Sequence, residues 1–151
     1  MVKFNFDASF NSTARTSISG VIARDSQDFI LAAGTYPHTR IADAFTAEAV
    51  ACERAVVFAQ DLGFRSIIIE GDSLSVFKKV TSANFDKSVI SPIIRDILSL
   101  RDLFQSVTFA FVGRQGNEAA HMLAKLGFRQ PEVRIWVEEA PASVALRDRP
   151  P

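Results

Sequence analysis

Asp7, Glu48 and Asp72 are the residues of this sequence best placed to do chemistry, because each sits where a negative charge needs compensation. Val2, Phe4 and Phe6 alternate with Lys3, Asn5 and Asp7 along the segment to Phe10, the period-2 pattern of a strand. A carboxylate in the middle of what should be the central strand is costly unless something offsets it. Glu48 lies inside the strongest helical pattern, and Ala44, Cys52, Ala55 and Ala59 form a stripe of small residues around it. Such a stripe suits a face pressed against a sheet, so Glu48 is expected to point inward. Asp72 follows the run Ser66-Ile67-Ile68-Ile69 at its carboxyl end, where open α/β sheets bind ligands.

If the three acids meet, their mutual repulsion requires a cation or a proton. Carboxylate oxygens suit Mg²⁺ or Mn²⁺ rather than zinc. Two such ions about 4 Å apart can activate a water and stabilise the leaving oxygen in phosphodiester hydrolysis. Plainer readings stand beside this one. After Gly71, Asp72 can be a helix N-cap, and Glu48 can be solvated or paired with Arg40. Asp7 is the hardest of the three to explain without a function.

The elements that must position these residues follow from periodicity and turn chemistry. Thr16 to Ala23 and Phe29 to Tyr36 extend the first strand into an antiparallel meander. The polar cluster Arg24 to Asp28 marks a turn, and Pro37-His38 marks the end. Asp43 to Leu62 changes to a helical period, with Phe45, Ala49, Cys52, Val56 and Ala59 in register and Gly63 as the stop. The isoleucine run is expected to be a strand buried on both faces. A short helix to about Val80, a loop across Asn84 to Lys87 and a helix from Pro92 to about Leu103 come next. A fifth strand from Val107 to Val112 and a last helix from Asn117 to Leu126, closed by Gly127, complete the pattern. The order βββαβααβα predicts an α/β fold with a five-stranded mixed sheet and helices on both faces. Residues 1–130 are expected to form this domain. Residues 131–151 should extend it, with Ile135-Trp136-Val137 packing back and Arg147 to Pro151 frayed.

Composition narrows the function classes. A chain of 151 residues, 48% apolar and 23% charged, fits one domain that buries roughly 70% of its unfolded surface. Its one cysteine, Cys52, excludes an internal disulfide and a cysteine-based zinc site. With no secretory h-region at the amino terminus, an intracellular setting, nuclear or cytoplasmic rather than secreted, is expected. No apolar run approaches the ~20 residues of a membrane span, so no membrane partner is expected. Seventeen basic residues balance seventeen acidic ones, which argues against nucleic-acid binding through bulk charge alone.

Four segments carry a family resemblance: Phe4-Asn5-Phe6-Asp7-Ala8-Ser9-Phe10, Ala47-Glu48-Ala49-Val50-Ala51, Glu70-Gly71-Asp72-Ser73, and Arg114-Gln115-Gly116-Asn117-Glu118-Ala119-Ala120-His121-Met122-Leu123-Ala124-Lys125. In order and spacing, over residues 3–128, they resemble the signature blocks of plant ribonuclease H-like domains. Such domains occur at the ends of non-LTR retrotransposon polyproteins and as stand-alone copies. The resemblance implies a ribonuclease H fold and endonucleolytic cleavage of the RNA strand of RNA–DNA hybrids with two Mg²⁺ or Mn²⁺ ions. It places Asp7, Glu48 and Asp72 at the first three catalytic, metal-binding positions.

His121 stands where active members of that family usually carry an aspartate. Imidazole is neutral and a poorer partner for Mg²⁺, so the second ion site is expected to be weakened, or shifted toward Mn²⁺. His121 can instead shuttle a proton during product release, or be a helix residue with no metal duty. The substitution also supports another function class, a ribonuclease H-fold module that binds nucleic acid or a protein partner with weak or lost catalysis. His38 is expected to be a solvated loop residue.

With the three acids neutralised, 17 basic residues face 14 acidic ones, the original 17 less three. Lys78, Lys79 and Lys87, flanking the short helix, and Arg114, in the loop before the last helix, are candidates for phosphate contacts. Ser9 and Asn11 are candidates for hydrogen bonds to phosphate or to the ribose 2′-hydroxyl. Phe4, Phe6, Phe45, Phe58, Phe109 and Phe111 are expected in the core, and the domain is expected to act as a monomer.

Overall fold

The computed structural model describes residues 1–82, 92–141 and Val144. Lys87, the loop expected across Asn84 to Lys87 and the fraying expected at Arg147 to Pro151 lie outside the described residues. Three strands open the fold, β1 (Val2–Asn11), β2 (Thr16–Arg24) and β3 (Ile30–His38), each antiparallel to the one before. The Asn11 side-chain oxygen accepts the Ala14 N–H at the first turn, and the Asp25 carboxylate accepts the N–H groups of Gln27 and Phe29 at the second. Helix α1 (Ala44–Asp61) begins where Asp43 Oδ1 accepts the Thr46 N–H at 2.7 Å and ends before Gly63, whose φ is 84°.

Strand β4 (Ser66–Gly71) returns parallel to β1, and helices α2 (Leu74–Thr81) and α3 (Pro92–Arg101) follow. Strand β5 (Ser106–Phe111) lies parallel to β4. A 3₁₀ turn over Arg114–Asn117 then feeds α4 (Glu118–Arg129). Residues Arg134–Val137 form a further strand, β6, antiparallel to β3, so the mixed sheet has six strands in the order β5-β4-β1-β2-β3-β6. Five strands were expected, because a four-residue strand gains its identity from the β3 edge it completes rather than from its own periodicity.

Two cores lie on opposite faces. Phe4, Phe6, Val21, Ile67 and Ile69 pack under α1, α2 and α3, with Phe4 meeting Phe58 edge-on at 6.2 Å and Phe6 meeting Phe77 at 5.7 Å. Ile22 and Ala33 pack with Ala119, Ala120, Leu123 and Val144 on the α4 side, where Trp136 also packs. Helix α4 lies over β1, β2 and β3. Ile68 is therefore only half-buried, against the expectation of a strand covered on both faces. Phe111, at the end of the edge strand β5, is exposed rather than core.

Helix α4 sits close on β2 because two glycines permit it. A Cβ on Gly20 would stand 2.7 Å from the Ala124 nitrogen and 2.8 Å from the Ala120 oxygen. Gly127 lies inside α4 beneath Ile18 and Thr35, so it is a packing residue and not the helix stop expected. Pro37 and His38 are the last two residues of β3, so the meander ends on them, as expected, with both inside the strand. Strand β6 pairs only with Ala32 to Thr35, so at Pro37 the strand is again an edge, where a missing amide hydrogen is tolerated. Gly20→Ala should cost about 1–3 kcal/mol by forcing α4 off the sheet, read as a lower urea midpoint. An unchanged midpoint would contradict the close approach.

Candidate active site

Side-chain alternation along β1 sends Phe4 and Phe6 to the α1 face and Asn5 and Asp7 to the α4 face. Parallel pairing of Asn5 with Glu70 brings the end of β4 alongside, so Asp72 emerges near Asp7. Glu48 reaches the same spot from α1. One carboxylate oxygen from each of Asp7, Glu48 and Asp72 lies within 4.8 Å of the other two. The three acids that the sequence distributes over three elements do meet.

Their electrostatics follow from that crowding. Burial, and then the charge of Asp7, pushes Glu48 up from its ordinary 4.5 to about 9. It shares a hydrogen bond with Asp7, accepts the Ala8 N–H, and keeps Oε2 buried without a partner. Asp72 is also raised, by burial first and by Asp7 second, while Arg114 pulls the other way. Neither plainer reading holds. The α2 N-cap is Ser73, not Asp72, and the groups acting on Glu48 are Asp7 and Asp72, not Arg40. Ala44 is exposed at the start of α1, so the buried small-residue stripe is Cys52, Ala55 and Ala59.

Helix α4 supplies the fourth side chain. His121 Nδ1 lies 2.7 Å from Asp7 Oδ2 and 2.6 Å from Arg114 Nη1, and Arg114 Nε lies 3.0 Å from Asp72 Oδ2. One ring nitrogen carries either a proton or a lone pair. It donates to Asp7 or accepts from Arg114, never both at once. Among the described residues His121 stands beside the three-carboxylate set and outside it.

A buried clamp fixes these distances. Asn117, 1% exposed, donates to the Phe6 carbonyl at 2.8 Å and accepts from Asn5 Nδ2 at 3.3 Å. Asn5 also donates to Glu70 at 3.1 Å and accepts from Arg24 at 2.8 Å. The start of α4 is thus pinned to β1 one residue before Asp7. Sequence reading did not single out Asn5 or Asn117. The available signal was a second polar residue two before Asp7 and another four before His121, on the same faces as those residues.

The reverse transcriptase-like family model matches residues 5–127, which include all four of these side chains. The chain belongs to that family, a ribonuclease H-like domain. Its fold is similar to ribonuclease H1 from the archaeon Halobacterium salinarum, with 28% identity, a TM-score of 0.72, and 85% of this chain and 97% of that one covered. The ribonuclease H domain at the N-terminus of a Mycobacterium tuberculosis protein matches at 18% identity and a TM-score of 0.73, over 85% and 93% of the chains. LC11 ribonuclease H1, from compost, solved in complex with an RNA/DNA hybrid, matches at 15% identity and a TM-score of 0.70, over 83% and 95%. No curated protein matches the sequence. Among the described residues no helix is long and apolar enough to cross a membrane.

The ribonuclease H-like site fits a hard divalent cation. It offers three carboxylates within bridging reach and a buried Glu48 oxygen that lacks a partner. The remaining candidates lie further out. Ser9 follows Asp7 on β1 and is half-buried, and Asn11 is exposed with its oxygen engaged in the turn. Lys78 and Lys79 are exposed in the last turn of α2, past the end of β4 that carries Asp72. Arg114 contacts Asp72 and His121 rather than open solvent alone. His38 is not a solvated loop residue: it ends β3, shares a hydrogen bond with Ser19 Oγ at 2.8 Å, and burial lowers its pKa.

Because Glu48 is raised, the ion-free folded state holds a proton that the unfolded chain releases between pH 4.5 and about 9. Stability then falls as pH rises through that window. Urea denaturation with chelator should show Glu48→Gln gaining on the parent protein from pH 5.5 to 8.5, reaching about 1–3 kcal/mol. A pH-independent difference would contradict the shared proton.

Proposed function

We propose that this domain hydrolyses the RNA strand of RNA–DNA hybrids endonucleolytically, using Mg²⁺ or Mn²⁺ held by Asp7, Glu48 and Asp72. The observation that carries the proposal is the meeting of three carboxylates within 4.8 Å in a ribonuclease H-like fold. When bound there, divalent ions supply an activated water and stabilisation of the leaving oxygen. Asp7 and Asp72 orient oxygens from two parallel strands, and Glu48 completes the set by giving up its proton. His121, hydrogen-bonded to Asp7, is positioned to hold or move a proton at Nδ1, and its imidazole weakens a second ion site compared with the aspartate it replaces.

Substrate recognition is assigned to side chains around the acids. Ser9 and Asn11 are proposed to meet phosphate or ribose hydroxyls, and Arg114, Lys78 and Lys79 the phosphate backbone. The few basic side chains near the acids imply modest affinity, and their contacts with phosphate imply a strong salt dependence. The RNA/DNA hybrid bound by LC11 ribonuclease H1 supports the substrate class. The proposal includes action as a monomer in an intracellular setting, and the plant retrotransposon type of descent suggested by the sequence blocks.

A second reading has its own observation: the His121 nitrogen is engaged in either state, accepting from Arg114 when it carries a lone pair or donating to Asp7 when it carries a proton. This favours a hybrid- or protein-binding module with weak or lost catalysis. Cleavage of a uniformly labelled hybrid separates the two readings. The enzyme reading expects cleavage in Mn²⁺ above that in Mg²⁺, lost by about a hundredfold or more in Asp7→Asn, and raised in Mg²⁺ by His121→Asp. No cleavage in either metal, unchanged by His121→Asp, supports the module.

A further inference from the structure

We infer that Arg114 is a resident counter-cation of the acid cluster, and that a second divalent ion binds only by displacing it. The inference rests on the reading of Asp7, Glu48 and Asp72 as metal ligands.

Arg114 spans the pocket from the 3₁₀ turn, its Nε on Asp72 Oδ2 at 3.0 Å and its Nη1 on His121 Nδ1 at 2.6 Å. A guanidinium keeps its charge at any pH the fold survives, and its planar fork addresses two acceptors at once. Here those acceptors come from different elements, the residue just after β4 and the first turn of α4. An ion that takes the imidazole lone pair at Nδ1 would need the atom that Arg114 Nη1 already holds, while Asp72 keeps its Oδ1 free for the ion it shares with Asp7 and Glu48. Guanidinium and ion therefore exclude each other on that side.

The opposite side is unobstructed. Asp7 and Glu48 take no contact from Arg114 among the described residues, and the buried Glu48 Oε2 has no partner. A first ion can enter there with the guanidinium in place. The second meets both steric exclusion and a fixed positive charge a few ångströms away, within the distance where like charges in a partly buried site repel by several kT. Departure is nevertheless feasible, since the Arg114 side chain is 57% exposed and swings out without disturbing the core. Expulsion also frees the guanidinium for a substrate phosphate, so loading of the second ion and backbone contact become one event.

Counting bound Mn²⁺ by electron paramagnetic resonance and calorimetry on the full chain, without nucleic acid, tests this. The parent protein should bind one ion, with a second much weaker. Arg114→Gln should leave the first constant within about threefold and tighten the second at least about tenfold. Arg114→Lys, which keeps the charge, should leave the second weak. Equal constants for two ions in the parent, or a second constant unmoved by Arg114→Gln, would overturn the inference while leaving the metal-ligand reading intact. No Mn²⁺ bound by any of the three proteins would overturn both.

Discussion

The repulsion among three carboxylates is the constraint around which this molecule is arranged. Left alone, negative oxygens this close in a partly buried pocket would force one another apart or outward. The fold resists in two ways. Rigid neighbours fix the backbone at each acid, and local positive or hydrogen-bonding groups offset part of the charge. Glu48 keeps a proton, Asp72 leans on Arg114, and Asp7 takes a hydrogen bond from His121 when that nitrogen is protonated. A divalent ion would replace all three makeshift partners with one.

Positioning is the work of the sheet and of α4. Parallel pairing of β1 with β4 sets Asp7 against Asp72, and the close seat of α4 on β2 sets His121 against Asp7. The Asn117–Phe6 hydrogen bond then ties the two arrangements together. Polar contacts so deeply buried are worth more to geometry than to stability, because losing any one leaves an unsatisfied partner. The outer face of β4 and β5 lies beyond the reach of α4, which leaves the acid cluster at the margin of the second core.

Much of this was legible in the residues. An aspartate at mid-strand, a glutamate among small helical neighbours and an aspartate at a strand end are patterns with few cheap structural explanations, and all three converge. Other features depend on context that periodicity does not carry. Strand β6 exists because β3 presents an edge to it. Phe111 is exposed because β5 is the other edge, and position 127 of the helix is a glycine because Ile18 fills the space a side chain there would take. Arg114 read naturally as a phosphate ligand. Only the fold reveals that, with no ion in place, the same guanidinium is held against Asp72 and the imidazole.

The most direct test of the central claim is anomalous diffraction from crystals soaked in Mn²⁺. The account predicts a peak bounded by oxygens of Asp7, Glu48 and Asp72, with all three side chains turned inward. A map with no peak there, or with any of the three carboxylates pointing to solvent, would contradict it.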